Sequence, residues 1–213
     1  MDTLNVEELA KDAPINPIIW KYMQLYKPKG KVLCVGEQDN NIKDFFKKYF
    51  PEAKPVTLDV EGEPDIKLDL CLNSVGENQF DYILCQAVLE HVVAPTVAIR
   101  NLFIGCKPGA IGIFHTHTPG FGVHRHPFDC WRMMYDTPNV IAGYLGLQIL
   151  HRAFFFHGCG PHVVFVLRKP LEPLETINFA NFTKLDNENW QTDPGITSQI
   201  IKKEIKEKVI ASN

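Results

Sequence analysis

Chemistry-bearing side chains crowd into one stretch of this chain. His115, His117, His124 and His126 are four of its eight histidines, and Asp129 and Arg132 follow closely. Imidazole titrates near neutrality, so a histidine cluster suits proton transfer to or from a hydroxyl. Asp129 and Arg132 suit either an ion pair or a hold on an acidic acceptor, and Trp131 between them suits a wall against solvent. Alternate residues of a strand share a face, so His115-x-His117 or His124-x-His126 also has the spacing of a chelating pair. His-x-His pairs arise in loops without an ion as well, and no metal is assigned to them.

A second set of polar residues closes apolar runs of strand length. Lys31-Val32-Leu33-Cys34-Val35-Gly36-Glu37 runs into a glycine turn, Pro55 to Val60 ends on Asp59, and Ile66 to Leu70 ends near Asp69. Phe80 to Cys85 ends on Gln86 and Ala87, with Glu90 and His91 just beyond. Open α/β sheets keep their ligands at the carboxyl edge of the strands, so this arrangement predicts a small-molecule site there. A glycine turn lets a ligand approach the backbone, and a carboxylate after the second strand can accept both hydroxyls of a ribose.

The elements that must position these groups alternate. Asn16 to Tyr26 reads as a short helix with a cap candidate and a proline in its first turn, and Asn41 to Tyr49 as an amphipathic helix. Ala94 to Cys106 supplies a crossover helix, Pro108-Gly109-Ala110 a turn, and Ile111 to His117 the fifth strand. The loop from Thr118 to Tyr135 is long for a connection inside a domain, which marks it as functional or as a lid. A helix over 138–144 and two strands over 147–156 and 162–168 follow. Alternating strand and helix predicts an α/β fold with a doubly wound, mostly parallel sheet. The chain divides into a helical lead-in (1–29), this domain (30–170) and an extension (171–213). In the extension, Ile196, Ile200, Ile201, Ile205, Val209 and Ile210 mark one face of a terminal helix, which docks on its own domain or serves as a partner or homodimer surface.

Composition narrows the function classes. The chain has 213 residues, 45% hydrophobic and 22% charged, the make-up of a globular protein with one substantial core. A formal charge of -3 offers no general attraction to nucleic acid or to anionic membranes. The acidic start lacks a signal-peptide layout and no apolar run is long enough to span a bilayer, so a soluble, cytoplasmic protein is expected. Cys34, Cys71, Cys85, Cys106, Cys130 and Cys159 are scattered without a C-x-x-C pair, which suits reduced thiols.

Residues 30 to 168 resemble the class I S-adenosylmethionine-dependent methyltransferases. The most specific parts are Val88-Leu89-Glu90-His91-Val92 and His126-Pro127-Phe128-Asp129-Cys130-Trp131-Arg132. The latter is similar to a His-x-Pro-x-Asp-Tyr-Trp-Arg loop in a bacterial subgroup, with Cys130 in place of tyrosine. The resemblance implies a seven-stranded Rossmann-like sheet with a closing antiparallel hairpin and S-adenosylmethionine as cofactor. It implies cofactor contacts from Gly36, Glu37, Asp59, Asp69, Leu70, Gln86 and Ala87, and places His126, Asp129, Trp131 and Arg132 at the acceptor; His117, from the histidine cluster, joins His126, Asp129 and Arg132 as a catalytic candidate. The glycine turn departs from the family's acid-x-Gly-x-Gly-x-Gly: Cys34 replaces the acid, and Gln38 and Asn40 replace later glycines. The expected activity is methyl transfer to a small or medium metabolite, at oxygen. Two alternatives stand beside it: a non-catalytic binding or assembly module that has lost the cofactor, and a histidine-metal enzyme on the same scaffold.

Overall fold

Alternate strand residues pack against opposite layers of helices, and this period-two division builds the molecule. Residues 15–38, 41–157 and 160–172 are described in a computed structural model. Helix α1 (Pro17–Tyr26) is followed by β1 (Gly30–Val35), α2 (Asn41–Tyr49), β2 (Ala53–Asp59), β3 (Ile66–Lys67), β4 (Phe80–Gln86) and α3 (Pro95–Ile104). Then come β5 (Cys106–His117), α4 (Thr137–Leu145), β6 (Gln148–His157) and β7 (Gly160–Arg168).

The strands form one seven-stranded sheet in the order β3-β2-β1-β4-β5-β7-β6. The first five run parallel, and β7 pairs antiparallel with both β5 and β6. Leu33, Val35, Ile83, Cys85, Phe114 and Phe165 face the layer of α3 and α4. Val32, Cys34, Tyr82, Leu84, Ile113 and Val164 face α1 and α2. Ile19, Trp20, Tyr22 and Met23 of α1 are fully packed into that second layer, and Trp20 meets Phe45, Tyr49 and Phe50 edge to face. Phe114 and Phe165 stack across the β5–β7 pair at 5.2 Å. Asn16 caps α1 by accepting the Ile18 N–H at 3.0 Å, as its sequence position predicts.

Two strand limits differ from the sequence reading. β3 is shorter than the run Ile66 to Leu70, because the Cys71 and Asn73 N–H groups fold back onto Asp69 and end the ladder. β5 begins at Cys106 rather than Ile111, and Pro108-Gly109-Ala110 lies inside it. The Gly109 N–H donates to Lys169 O and the Lys169 N–H to Ala110 O, while the register slips between Phe80 and Tyr82 to absorb the extra residues. Among the described residues no helix is long and apolar enough to cross a membrane. The terminal helix read from Ile196 to Ile210 lies outside the described residues, as do Cys159 and Asn40.

Candidate functional site at the carboxyl edge of the sheet

Because β1 to β5 are parallel, Gly36, Asp59, Asp69, Gln86 and His117 all follow or close their strands at one edge of the sheet. The order reverses between β1 and β4, which have neighbours leading away in opposite directions, so the crevice of an open sheet opens there. Asp59 and Asp69 lie to one side of this point, Glu90 and His117 to the other.

On the first side the backbone is already organised. Gly36 has φ +85°, and a Cβ there would come within 2.3 Å of Val88 Cγ2, so both its backbone and its space demand glycine. Its N–H donates to Leu58 O at 2.8 Å and that of Glu37 to the same carbonyl at 3.4 Å. These groups tie β1 to β2 rather than standing open to an anion. Cys34, at the place of the family's acid, is buried under α1 and α2. Burial, and next the charge of Glu37, hold its thiol neutral by raising its pKa well above the ordinary value.

Asp59 Oδ1 accepts the Glu61 N–H at 2.9 Å and Asp69 Oδ1 the Cys71 N–H at 2.8 Å, so each acid fixes its own turn through one oxygen. Leu70 is buried beside Asp69, and Asn101 Nδ2 donates to its carbonyl. Gln86 Oε1 accepts the Asn16 N–H at 2.8 Å, and Ala87, with φ +52°, donates its N–H to His115 O. Two carboxylates anchored through one oxygen each suit a ligand with hydroxyl and amine donors, the donor set of a nucleoside. The loop after β2 narrows the entrance: the Glu63 N–H donates to Gln38 O at 3.2 Å, and a Cβ on Gly62 would meet Gln38 Cβ at 2.8 Å.

On the second side the hub is Glu90, which is fully buried. Thr116 Oγ1 donates to its Oε2 at 2.6 Å, and His117 Nδ1 lies 2.9 Å from its Oε1. Burial alone pushes its pKa up, but the bonds from His117 and Thr116 and the charge of His117 outweigh that and hold it below the usual value. Pairing of β4 with β5, with Gln86 opposite His115, is what brings Glu90 to the two β5 side chains. His117 stacks on Phe121 with ring centres 3.7 Å apart. His115 turns elsewhere: its Nε2 is 3.0 Å from His162 Nδ1, and His162 stacks on Phe155.

The loop over 118–135 carries no helix or strand among its described residues, and its polar groups are used to pin it. The Cys130 and Trp131 N–H groups donate to Glu90 O, the Met133 N–H to His117 O, and the Trp131 indole to Val93 O. Arg132 pairs with Asp129 through both terminal nitrogens, and donates to Gly122 O and Trp131 O as well. That guanidinium, ahead of the His124 N–H bond to Asp129 Oδ2, holds the Asp129 carboxyl far below the usual range. His124 therefore sits where Asp129 fixes it, 5.2 Å in ring centres from both His91 and His117. Partial desolvation of this largely exposed ring, and next the charges of His117 and His91, lower its pKa and favour the neutral form. His126 is exposed, with its ring 6.3 Å from that of His91.

Of the acceptor candidates, His117 lies at the Glu90 hub, His126 stands at its rim, and Asp129 and Arg132 form the clamp of the loop. Glu90 as the hub was not assigned from the sequence; the signal was present as a carboxylate just beyond a buried strand.

No protein-family model matches the chain. No curated protein matches it either. Solved structures do match. The 1,6-didemethyltoxoflavin-N1-methyltransferase of Burkholderia thailandensis, solved with bound S-adenosylhomocysteine, superposes with TM-score 0.61 at 12% identity, over 76% of this chain and 81% of that one. An S-adenosylmethionine-dependent methyltransferase of Methanosarcina mazei gives TM-score 0.56 at 15% identity, over 74% of this chain and 99% of that one. The cyclase SpnF gives TM-score 0.56 at 13% identity, over 78% and 80%. At such identities the likeness establishes the fold, the Rossmann-like methyltransferase sheet with its closing hairpin, and a cyclase among the matches illustrates that this fold serves more than one chemistry.

Proposed function

We propose that this chain is an S-adenosylmethionine-dependent methyltransferase acting at oxygen on a small or medium metabolite. One observation carries the reading: a single sheet edge holds anchored carboxylates on one side of the switch point and a buried Glu90–His117 pair on the other. Asp59 would hold the ribose hydroxyls, Asp69 and Leu70 the base, and Gly36, Glu37, Gln86 and Ala87 would line the crevice. When bound, S-adenosylmethionine supplies an electrophilic methyl group for in-line displacement.

The chain's own task is alignment, exclusion of water and removal of a proton. With Nδ1–H held toward the Glu90 carboxylate, His117 keeps Nε2 as its basic nitrogen and takes the proton of an acceptor hydroxyl there. Glu90 stabilises the imidazolium that results. Trp131 and the Asp129–Arg132 clamp hold the loop, and His126 at the rim meets the acceptor. The partner is a small molecule; no nucleic acid or membrane takes part.

Isothermal titration with S-adenosylmethionine and S-adenosylhomocysteine tests the reading. Saturable binding of both at or below millimolar concentration is expected, and no heat from either at millimolar concentration defeats it. The second reading, a non-catalytic binding module, draws support from the Gln38 contact with Gly62 and Glu63 and from Val88 filling the space beside Gly36. Gln38→Gly separates the two: a gain in cofactor affinity marks a narrowed but working site, and no binding by either protein favours the module.

A further inference from the structure

Glu90, its neighbour His91 and the distant His124 bring one ligand atom each to within 4.8 Å of one another, and neither His-x-His pair is involved as a pair. The tautomer of His91 follows from its partner: its Nδ1 meets the carbonyl of Phe128, which can only accept, so Nδ1 carries the proton. The neutral ring then presents the lone pair of Nε2, which lies 3.9 Å from Glu90 Oε1. A carboxylate oxygen and an imidazole lone pair thus face each other at a buried anion. Such a pair is stabilised by a cation between them. A ligating histidine whose other N–H is held by a backbone carbonyl is the usual arrangement around a bound metal.

The third ligand is also placed by design of the loop. The His124 N–H is held by Asp129 Oδ2, and Asp129 is clamped by Arg132, so the exposed ring of His124 hangs over the Glu90–His91 pair. Glu90 is likewise steadied from behind by Thr116 at Oε2, and His117 stays outside the ligand set at 2.9 Å from Oε1.

We infer that Glu90, His91 and His124 form a binding site for one divalent transition-metal ion. Two imidazoles and one carboxylate are a donor set for zinc and its first-row neighbours, with remaining positions for oxygen ligands from water or from an acceptor. Tetrahedral ligands at about 2.1 Å from the ion sit about 3.4 Å apart, so Glu90 and His91 need to close by only about 0.5 Å. Exposure of His124 lets it make the larger adjustment. Ion binding here requires no S-adenosylmethionine, so its test stands apart from that of the methyltransferase reading.

Untagged protein, stripped with dipicolinate and titrated with Co²⁺, provides the measurement. One equivalent of Co²⁺ with the visible absorption of a low-coordinate site, displaced by Zn²⁺, is expected. His124→Ala should weaken Co²⁺ at least ten-fold with an unchanged circular dichroism spectrum, since that ring is exposed. His91→Ala should do the same, whereas His151→Gln, on a distant strand, should bind as wild type. Absence of stoichiometric uptake by folded wild type would overturn the site. So would equal affinity in wild type and His124→Ala.

Discussion

A carboxylate without solvent contact must keep its charge by local bonds, and Glu90 does so through Thr116 and His117. Its pKa is lowered on folding, so its contribution to stability is present above the unfolded value, about 4.3, and is lost as the pH falls through the lower folded value. Glu90→Gln should therefore be less stable than wild type near neutrality, and the gap should narrow as the pH drops below about 5. Urea unfolding at a series of pH values measures this; a constant gap would mean that another group governs the acid limb. At Gly36, alanine would have to adopt φ +85° and displace Val88, so Gly36→Ala should lose about 1–3 kcal/mol in the same assay. The histidines and the strand-end acids were legible residue by residue, because their types alone restrict their chemistry. The hub was not, because Glu90 meets Thr116 and His117 only through the β4–β5 register, a pairing of distant segments. Asp129 and Arg132 show the converse: their spacing suited both an acceptor hold and a clamp, and the bonds to Gly122, Trp131 and His124 are those of a clamp.

At the scale of elements, the loop from Thr118 to Tyr135 depends on its internal bonds, since it has no ladder of its own among the described residues. Arg132 serves Asp129, Gly122 and Trp131 at once, and lysine lacks the planar fork for that. Arg132→Lys should make Arg125 several-fold more sensitive to limited trypsin digestion while the melting temperature changes little. Equal cleavage rates would show that the backbone bonds to Glu90 and His117 suffice. The order and type of the elements were readable from period-two and helical spacing, and α1, with its Asn16 cap and Pro17, matched closely. The strand ends were less readable. Pro108-Gly109-Ala110 carries a turn signature, yet Lys169, just past β7, offers a carbonyl to Gly109 and an amide to Ala110 that local sequence does not reveal.

For the molecule as a whole, the proposed function gives the two sides of the switch point in the sheet order two different jobs. Asp59→Ala should weaken S-adenosylmethionine binding much more than His117→Ala, as titration calorimetry would report; equal effects or the reverse order would remove the assigned roles. Gln86 adds a consequence of its own. Its Oε1 holds the Asn16 N–H at the entry of α1, so the crevice and the lead-in helix share one contact. By thermodynamic reciprocity, an occupant that holds Gln86 in this orientation should slow deuterium uptake at Asn16, and slackening of the lead-in should weaken that occupant by the same factor.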